Sequence, residues 1–346
     1  MSDSMKAMVV KEHGAPSVIK RDEVPIPKPG PNEALIKVRG CALNHLDVWV
    51  RSGLPGIKLP RILGCDVAGE IEAVGSEIKH LKKGESVLVC PGLSCGVCPE
   101  CLDGQEMICR GYHILGAGCD GGYAEFVKVP AENCFPIPGK LDFHQAASIP
   151  LVFLTAWHML VTRCSMRLNE TVLVIGGGSG VGSAAIQIAK LYRCRVIATV
   201  GNGEKAKKCK ELGADEIIIH SRQSIAEEVK RLTNKRGVDI VFEHVGPAVF
   251  GDCLAALATN GRLVTCGATT GPKVEVDIPR LFMKHQTIYG SIMGTKKEFS
   301  DLLPFFETGL LKPVVDRVLP LNEAKKAHEI LESREHFGKV VLDPTL

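Results

Sequence analysis

Four cysteines lie close together in one short stretch of the chain: Cys95, Cys98, Cys101 and Cys109, with the spacing C-x2-C-x2-C-x7-C. The stretch is rich in glycine and proline, so the chain can turn all four thiolates toward one centre. Four thiolates fill the tetrahedral shell of a structural Zn²⁺ and leave no position for water or substrate. Disulfides and an iron–sulfur cluster use the same residue type. The spacing and the lack of a nearby redox motif favour one structural zinc per chain, and the chemistry is expected elsewhere.

A glycine-rich turn is the second informative pattern. Residues 176–182 read GGGSGVG, after an apolar run at 171–175 and before a helix-like segment at 183–191. In this context the backbone can approach a pyrophosphate, and the helix N-terminus faces its negative charge. In the G-x-G-x-x-G fingerprint the middle glycine is replaced by serine, and a tight turn without a ligand is the alternative interpretation. The predicted dinucleotide-binding residues are Gly177, Gly178, Ser179, Gly180, Val181 and Gly182.

The end of the next predicted strand indicates which dinucleotide binds. Enzymes that use NAD usually place an acid there to bond the ribose 2′-hydroxyl, whereas this chain has Val200, followed by Asn202 and Lys205. Without the carboxylate a 2′-phosphate is not repelled, and the lysine can pair with it. We predict NADP(H) rather than NAD(H), although Glu204 counts against this and Lys205 could lie on a solvated helix face.

Two regions of the chain differ in their pattern of apolar and turn residues, and these patterns predict the elements that position the candidate residues. From about residue 5 to 150, short alternating strands, among them one at 123–129, are punctuated by glycine and proline, which predicts a barrel-like β domain. From residue 171, apolar strands, among them one at 262–266, alternate with helices, which predicts a parallel sheet covered on both faces. The tail from about residue 295 ends in a strand-like segment and is predicted to rejoin the first domain. The expected domains are therefore 1–150, 151–294 and 295–346, the last as a return to the first.

The 346-residue chain has an ordinary globular composition, with 45% hydrophobic and 23% charged residues. A formal charge of +3 is too small to indicate a nucleic-acid or membrane partner. Scattered cysteines in apolar surroundings favour a reducing compartment, and the start of the sequence lacks the pattern of a signal peptide. The longest apolar run, 149–161, is too short to span a membrane. We predict a cytoplasmic protein with no nucleic-acid or membrane partner.

Several motifs together resemble the medium-chain dehydrogenase/reductase superfamily, which includes zinc alcohol dehydrogenases and quinone oxidoreductases. They cover almost the whole chain: residues 38–47, 63–70, 121–125, 176–182 and 338–341, with the four-cysteine lobe. The resemblance implies an α/β fold in which a Rossmann domain, a doubly wound parallel sheet, is inserted in a GroES-like β-barrel catalytic domain. It also implies a small-molecule substrate and a homodimer or homotetramer, paired through an edge strand near 287–292. By the same resemblance His220 lies near the adenosine, and the nicotinamide end is lined by Thr155, Val245, Gly267, Ala268 and Lys339.

The catalytic zinc of the alcohol dehydrogenases is a separate question. Their ligands are a cysteine three residues before an aspartate, a histidine in Gly-His-Glu, and a later cysteine or acid. The corresponding residues here are Asn44, Cys65 and Leu151. An amide oxygen is a poor zinc ligand and leucine is none. A shifted set of His45, Cys65 and Asp66 is an alternative, but neighbouring strand residues point to opposite faces. The pattern instead resembles the zinc-free quinone oxidoreductases.

The resulting hypothesis is hydride transfer from NADPH to the β-carbon of an enone or to a quinone. A conjugated acceptor spreads the charge that a simple ketone would concentrate on one oxygen. Asn44 is predicted to orient the carbonyl, His45 or water to supply the proton, and Asp47 to orient other groups. Cys65 is either part of this catalytic site or a small buried residue. The alternatives are a zinc-dependent alcohol dehydrogenase with unusual ligands and a non-catalytic, zeta-crystallin-like cofactor-binding protein.

Overall fold

The computed structural model describes residues 3–346, which form two compact units. One unit contains the chain up to Leu151 together with Thr295–Leu346, and the other contains Val152–Gly294. The sequence predicted breaks after residues 150 and 294.

Strands and helices are numbered in chain order. The strands are β1 (Ser4–Val10), β2 (Ile19–Pro25), β3 (Glu33–Ala42), β4 (Arg61–Ile62), β5 (Asp66–Val74), β6 (Ser86–Val89), β7 (Gly92–Leu93), β8 (His113–Ile114), β9 (Phe126–Pro130), β10 (Cys134–Pro136), β11 (Thr171–Val174), β12 (Arg195–Val200), β13 (Glu216–Ile219), β14 (Val238–Glu243), β15 (Leu257–Thr265), β16 (Thr287–Gly290), β17 (Val315–Pro320) and β18 (Lys339–Asp343). The α-helices are α1 (His45–Ser52), α2 (Pro99–Leu102), α3 (Phe143–Ala147), α4 (Pro150–Trp157), α5 (Gly180–Leu191), α6 (Gly203–Glu211), α7 (Ile225–Leu232), α8 (Pro247–Ala256), α9 (Ile278–Met283), α10 (Lys296–Glu307) and α11 (Ala324–Ser333).

The first unit is built on a seven-stranded sheet of order β10-β6-β5-β3-β18-β17, in which β9 also pairs with β3. A smaller sheet of order β2-β1-β4 and the β7-β8 pair complete its strands. The strand β18 runs antiparallel to β3, with Val341 opposite Ala42 and Leu342 opposite Cys41. The tail of the chain therefore rejoins the first unit, and this register brings the start of β18 close to the residues that follow β3.

The second unit contains a six-stranded parallel sheet of order β13-β12-β11-β14-β15-β16. Two strands lie on one side of β11 and three on the other, which is the doubly wound order of a Rossmann domain. Apart from Thr171, Asp239 and Glu243, the central strands β11 and β14 consist of apolar residues, as expected where helices cover both faces. The predicted fold class is confirmed. Ligands of such sheets bind at the carboxyl ends of the strands, where the strand order reverses. In this unit the reversal lies between β11 and β14.

Two strands differ from the sequence prediction. The strand predicted to start at Tyr123 begins only at Phe126, because the N–H groups of residues 121–123 instead bond the carbonyls of residues 62–64. The strand β15 starts at Leu257, five residues before its predicted start, and follows α8 directly. The apolar run at 149–161 forms α4 and continues as a π-helix at His158–Arg163. Among the described residues, no helix is long and apolar enough to cross a membrane.

The strand β16 lies at the edge of the parallel sheet. The helix before it, α9, exposes three large apolar side chains, Ile278, Phe282 and Met283. Pairing of two copies through this edge stays a prediction.

Candidate functional site

The four lobe cysteines form a compact cluster of sulfur atoms. The Sγ–Sγ distances are 3.4 Å between Cys98 and Cys101, 3.6 Å between Cys95 and Cys109, and 3.9 Å between Cys95 and Cys101. All four Sγ atoms lie within 4.8 Å of one another. Zn–S bonds of about 2.3 Å in a tetrahedron place the sulfurs about 3.8 Å apart. The donor set therefore fits one tetrahedral zinc, which would hold this loop together.

Backbone N–H groups around the lobe favour the thiolate form that a metal binds. Bonds from the backbone of Val97 and Cys98 lower the pKa of the exposed Cys95 thiol to about 6. The N–H of Gly111 donates to Cys109 Sγ at 3.3 Å. Such donors stabilise negative charge on sulfur.

The glycine-rich loop follows β11 and leads into α5. Gly176 has a φ of +65°, and a Cβ atom at Gly182 would lie 2.2 Å from the Gly176 carbonyl oxygen, so both positions require glycine. Ser179, at the fingerprint's middle position, is the N-cap of α5: its Oγ accepts from the N–H of Gly182 at 3.0 Å. The serine thus shapes the loop. The N–H groups of Gly177 and Ser179 bond the carbonyls of Thr199 and Gly176, so the helix N-terminus offers a pyrophosphate the N–H groups of Gly178, Gly180 and Val181.

His244, the residue after β14, contacts the glycine-rich loop through its ring. Its Nε2 lies 3.0 Å from the Ile175 carbonyl oxygen and 3.2 Å from Ser179 Oγ. A carbonyl only accepts, so Nε2 carries the proton. These two contacts make His244 a structural partner of the glycine-rich loop.

A buried acid that the sequence analysis missed orders the loops after β14 and β15. The fully buried Glu243 carboxylate accepts from the N–H groups of Val245 and Gly246 and from the Thr265 hydroxyl, the last two at 2.6 and 2.7 Å. Gly267 lies against these residues, because a Cβ there would be 2.6 Å from the His244 carbonyl oxygen. Glu243 therefore holds the loops that carry three of the predicted nicotinamide residues, Val245, Gly267 and Ala268. The sequence signal that could have revealed this residue is an acid at the end of a mostly apolar strand.

Thr155 is buried in α4, where its hydroxyl approaches Met293 Sδ at 3.9 Å.

The end of β12 carries the residues predicted to select the cofactor. Val200 is buried, and Asn202 caps α6 by accepting from the Lys205 N–H at 3.0 Å. The ring of His220, which follows β13, lies next to Gly201, 3.9 Å from the position of a Cβ there. Glu204 pairs along the helix with Lys208 at 3.3 Å. The four residues at 200, 202, 205 and 220 are thus close together, and no acid occupies the end of β12.

The predicted catalytic residues of the first unit meet where α1 begins. Asp47 is buried, and its carboxylate accepts from the N–H of Asn44 at 2.7 Å and from the N–H of Gly64 at 3.0 Å. It therefore ties the start of α1 to the residue before Cys65. Burial raises the pKa of Asp47 to about 6, against the opposing effect of these two backbone bonds.

The Lys339 ammonium lies at the centre of this cluster. Its Nζ donates to the Leu43 carbonyl at 2.6 Å, to Asn44 Oδ1 at 2.6 Å and to Asp66 Oδ2 at 2.9 Å. The Lys339 side chain is 3% exposed and that of Asp66 is fully buried. The resemblance implied that Lys339 lines the nicotinamide end, and it gave no sign of these three bonds.

The Asn44 amide has partners on both sides. Its oxygen accepts from Lys339, and its Nδ2 donates to Asp66 Oδ2 at 2.9 Å and to Cys65 Sγ at 3.3 Å. Burial raises the pKa of Cys65 well above its usual value, so the residue remains a thiol. The Oδ1 atom of Asp66 accepts from the Leu151 N–H at 2.8 Å. We call Asn44, Asp47, Cys65, Asp66 and Lys339 the amide–lysine cluster. His45, the first residue of α1, is half-buried, and its ring lies 6.4 Å from that of Trp49.

This cluster is a poor match for a metal. Two of its oxygen donors, on Asn44 and Asp66, already bond the cation of Lys339, and Cys65 supplies one neutral thiol. Across residues 3–346, the four lobe cysteines form the only group of three or more His, Cys, Asp or Glu side chains whose ligand atoms converge on one point.

Two family models match the chain: an alcohol dehydrogenase GroES-like domain over residues 30–139, and a zinc-binding dehydrogenase over residues 180–308. The quinone oxidoreductase of Sus scrofa is 33% identical over 98% of this chain and 97% of its own. The chain belongs to the medium-chain dehydrogenase/reductase superfamily. The NAD-dependent alcohol dehydrogenase of Sulfurisphaera tokodaii is also 33% identical, over 98% of this chain and 100% of its own.

A crystal structure of an NAD-dependent alcohol dehydrogenase resembles the chain with a TM-score of 0.95 and 44% identity, covering 98% of this chain and 99% of that one. Membership of the superfamily makes the protein an NAD(P)H-dependent oxidoreductase. The relatives carry the names of two reactions, so the choice between them depends on the site.

The lobe geometry predicts that Cys98→Ser loses the bound zinc, because three thiolates hold the metal more weakly than four. Metal analysis of the purified protein should fall from about one zinc per chain toward zero, with a lower melting temperature, since the metal stabilises the folded loop. Cys119→Ser, outside the lobe, is the control and should keep its zinc. A Cys98→Ser protein with a full zinc atom would contradict the assignment.

The loop geometry predicts that Gly182→Ala weakens dinucleotide binding. The new methyl group would collide with the Gly176 carbonyl and displace the loop, at a cost of about 1.4 kcal/mol or more, a tenfold rise in Kd. Fluorescence titration with NADPH measures this. Gly251→Ala in α8, where a Cβ meets no atom within 4 Å, is the matched control and should bind normally. Equal Kd values for both variants would show that residues 176–182 are not the binding loop.

Proposed function

We propose that this protein transfers hydride from NADPH to a conjugated acceptor, an enone or a quinone, without a catalytic metal. The observation that carries the proposal is the contact of Lys339 Nζ with Asn44 Oδ1 and Asp66 Oδ2, at 2.6 and 2.9 Å. A divalent cation would have to displace this ammonium to reach the same two oxygens, and it would gain only one thiol and no imidazole ligand.

The amide–lysine cluster offers a hydrogen-bond donor rather than a Lewis acid. The three protons of Lys339 are used by its three acceptors, so the ammonium does not reach a substrate. Its bond to Asn44 Oδ1 polarises the amide and strengthens the Nδ2–H groups as donors. The bond from Nδ2 to Cys65 Sγ is the weaker of the two, since a thiol is a poor acceptor. A substrate carbonyl can replace it, and Asn44 then orients that carbonyl.

A donor of this strength suits a conjugated acceptor. Bound NADPH supplies the hydride. When the β-carbon of an enone accepts it, the electron pair moves through the C=C bond to the carbonyl oxygen, which Asn44 stabilises. A proton from water or His45 then adds to the α-carbon, giving the saturated ketone and NADP⁺. The negative charge is shared between oxygen and carbon, so one neutral donor suffices where a simple ketone would need a cation.

The preference for NADPH rests on the end of β12. Val200 is apolar, Glu204 pairs with Lys208, and Lys205 lies in the first turn of α6. The end of β12 therefore lacks the acid that bonds the ribose 2′-hydroxyl in sites selective for NADH.

An alcohol dehydrogenase is the second candidate, favoured by the 44% identity to the NAD-dependent alcohol dehydrogenase of known structure. In that case Cys65 and Asp66 would bind a second zinc after Lys339 is displaced.

Metal content and substrate range together separate the candidates. We expect about one zinc per chain, because only the lobe supplies a full ligand set. We also expect NADPH oxidation with quinones and enones but not with simple ketones. A second zinc, together with NAD-dependent alcohol oxidation, would support the second candidate. Tight NADPH binding without turnover on any acceptor would favour the non-catalytic alternative.

Cofactor choice is tested by Lys205→Gln, which removes the charge proposed to meet the 2′-phosphate. The kcat/KM for NADPH should fall about tenfold, the loss of one charge-assisted hydrogen bond, while the value for NADH is unchanged. Lys207→Gln, on the exposed side of the same helix, is the control for general charge effects. An equal loss for both cofactors, or a wild-type preference for NADH, would overturn the NADPH assignment.

A further inference from the structure

A buried acid of the lobe is not among its predicted zinc ligands. Glu106 lies between Cys101 and Cys109, at the start of a short 3-10 turn, and its side chain is buried. Its Oε1 atom accepts from the backbone N–H of Lys296 at 2.5 Å, across 190 positions of the sequence. Both residues belong to the first unit. The carboxylate therefore joins the lobe to a distant segment of the same unit.

That segment is the start of α10. Lys296 is the first residue of the helix, so its N–H has no partner within the helix. A carboxylate is a favourable acceptor there, because the N-terminus of a helix carries partial positive charge. The neighbouring residues form a capping box: Thr295 Oγ accepts from the Glu298 N–H at 3.0 Å, and the Glu298 carboxylate accepts from the Thr295 N–H at 2.8 Å. The start of α10 is thus held by its own capping box and by one bond from the lobe.

The 3-10 turn that follows β9 completes the connection between the lobe and α10. The Glu132 carboxylate of this turn pairs with the Lys296 ammonium. The buried amide of the next residue, Asn133, donates to the carbonyls of Cys90 and Gly92, both at 2.7 Å, where the chain enters the lobe. The lobe, this turn and the first residue of α10 therefore form a closed ring of contacts.

The chain just before α10 contains a residue in a strained conformation. Met293 has a φ of +50°, in the left-handed region that residues with a side chain rarely adopt. Such a conformation persists only where the surrounding structure holds it. The Thr155 hydroxyl approaches the buried Met293 Sδ at 3.9 Å, and the N–H of Ser291 donates to the Thr265 carbonyl at 2.9 Å. These contacts hold the chain on one side of the strained residue, and the bond from the lobe holds it three residues later.

We propose that Glu106 is a positioning residue for cofactor binding, which holds Lys296 and thereby keeps Met293 in its strained conformation against Thr155. The chain passes from the second unit to the first between Gly294 and Thr295, so the effect travels along the backbone itself. Thr155 is one of the residues predicted to line the nicotinamide end. Bound zinc keeps the lobe folded and Glu106 in place, and it therefore strengthens dinucleotide binding from a distance.

Coupling of this kind is reciprocal. If zinc lowers the Kd of the dinucleotide, the dinucleotide must lower the Kd of zinc by the same factor. The proposal rests on the proposed function only in its use of NADPH as the probe, and the same measurements apply with NADH if the wild type prefers it.

The first test changes the acid. Glu106→Leu keeps the four thiolates and removes the acceptor; we expect about one zinc per chain and a Kd for NADPH raised about tenfold. Glu106→Gln should bind NADPH as the wild type does, because its amide oxygen still accepts from the Lys296 N–H. Asp103→Leu, the same change at an exposed acid of the lobe, is the control. A purely structural role would lower the melting temperature of Glu106→Leu and leave its Kd unchanged, which would overturn the proposal.

The second test removes the donor and leaves the lobe untouched. Lys296→Pro has no N–H, and proline is well suited to the first position of a helix. Lys296→Ala keeps the N–H and loses only the ammonium, so it is the matched control. We expect the proline variant to keep its zinc and to bind NADPH about tenfold more weakly, and the alanine variant to bind as the wild type does. Equal Kd values for the two variants would contradict the assignment.

A chelator titration measures the coupling without turnover. In the wild type, NADPH should raise the chelator concentration needed to remove zinc, and in Lys296→Pro this protection should be lost. Equal protection in both proteins would overturn the proposal. Hydrogen exchange at residues 293–297 should be faster in Lys296→Pro than in Lys296→Ala. If the coupling is observed and no conjugated acceptor is reduced, the proposed function fails while the role of Glu106 stands.

Discussion

The buried ammonium of Lys339 joins three segments that are far apart in the sequence. It comes from β18, and it bonds the Leu43 carbonyl and Asn44 before α1 and Asp66 at the start of β5. Burying an ion pair costs on the order of several kcal/mol per ion, and this desolvation cost is offset only when each ion has a full set of hydrogen-bond partners. Three acceptors for three ammonium protons meet this requirement. The pairing of β18 with β3 therefore does more than close a sheet, because it delivers the cation on which the cluster depends.

One lysine cannot neutralise both buried carboxylates, Asp47 and Asp66, and the two are therefore stabilised by different groups. Asp66 bonds the ammonium and the Leu151 N–H. Asp47 receives the backbone N–H groups of Asn44 and Gly64, and the second buried cation, Arg51, donates to His328 Nδ1. Arg51 is itself balanced by the partly exposed Glu332. Each of these buried charges thus has its own polar partners, as a low-dielectric interior demands.

Features with a short sequence span could be predicted, and features built by distant pairing could not. The four cysteines and the glycine-rich loop each lie within a few turns of chain, so spacing alone indicated their geometry. The bond between Lys339 and Asn44 spans 295 residues, and that between Arg51 and His328 spans 277. These contacts depend on strand register and helix docking, which one sequence does not specify. The predicted start of a strand at Tyr123 was wrong for a related reason: its N–H already bonds the distant Leu63.

The relatives named for two reactions share one fold, so the difference in chemistry must arise in a few side chains. An amide at position 44 is neutral and lets an ammonium approach its oxygen, whereas a thiolate there would favour a metal dication. The two cations exclude each other, because both would need the same oxygens and would repel at that distance. An ammonium whose protons are all bonded cannot polarise a substrate as a Lewis acid does. This is the physical basis of the proposed function: acceptors that spread their own charge, such as a conjugated C=C bond or a quinone, do not need the cation that a Lewis acid supplies.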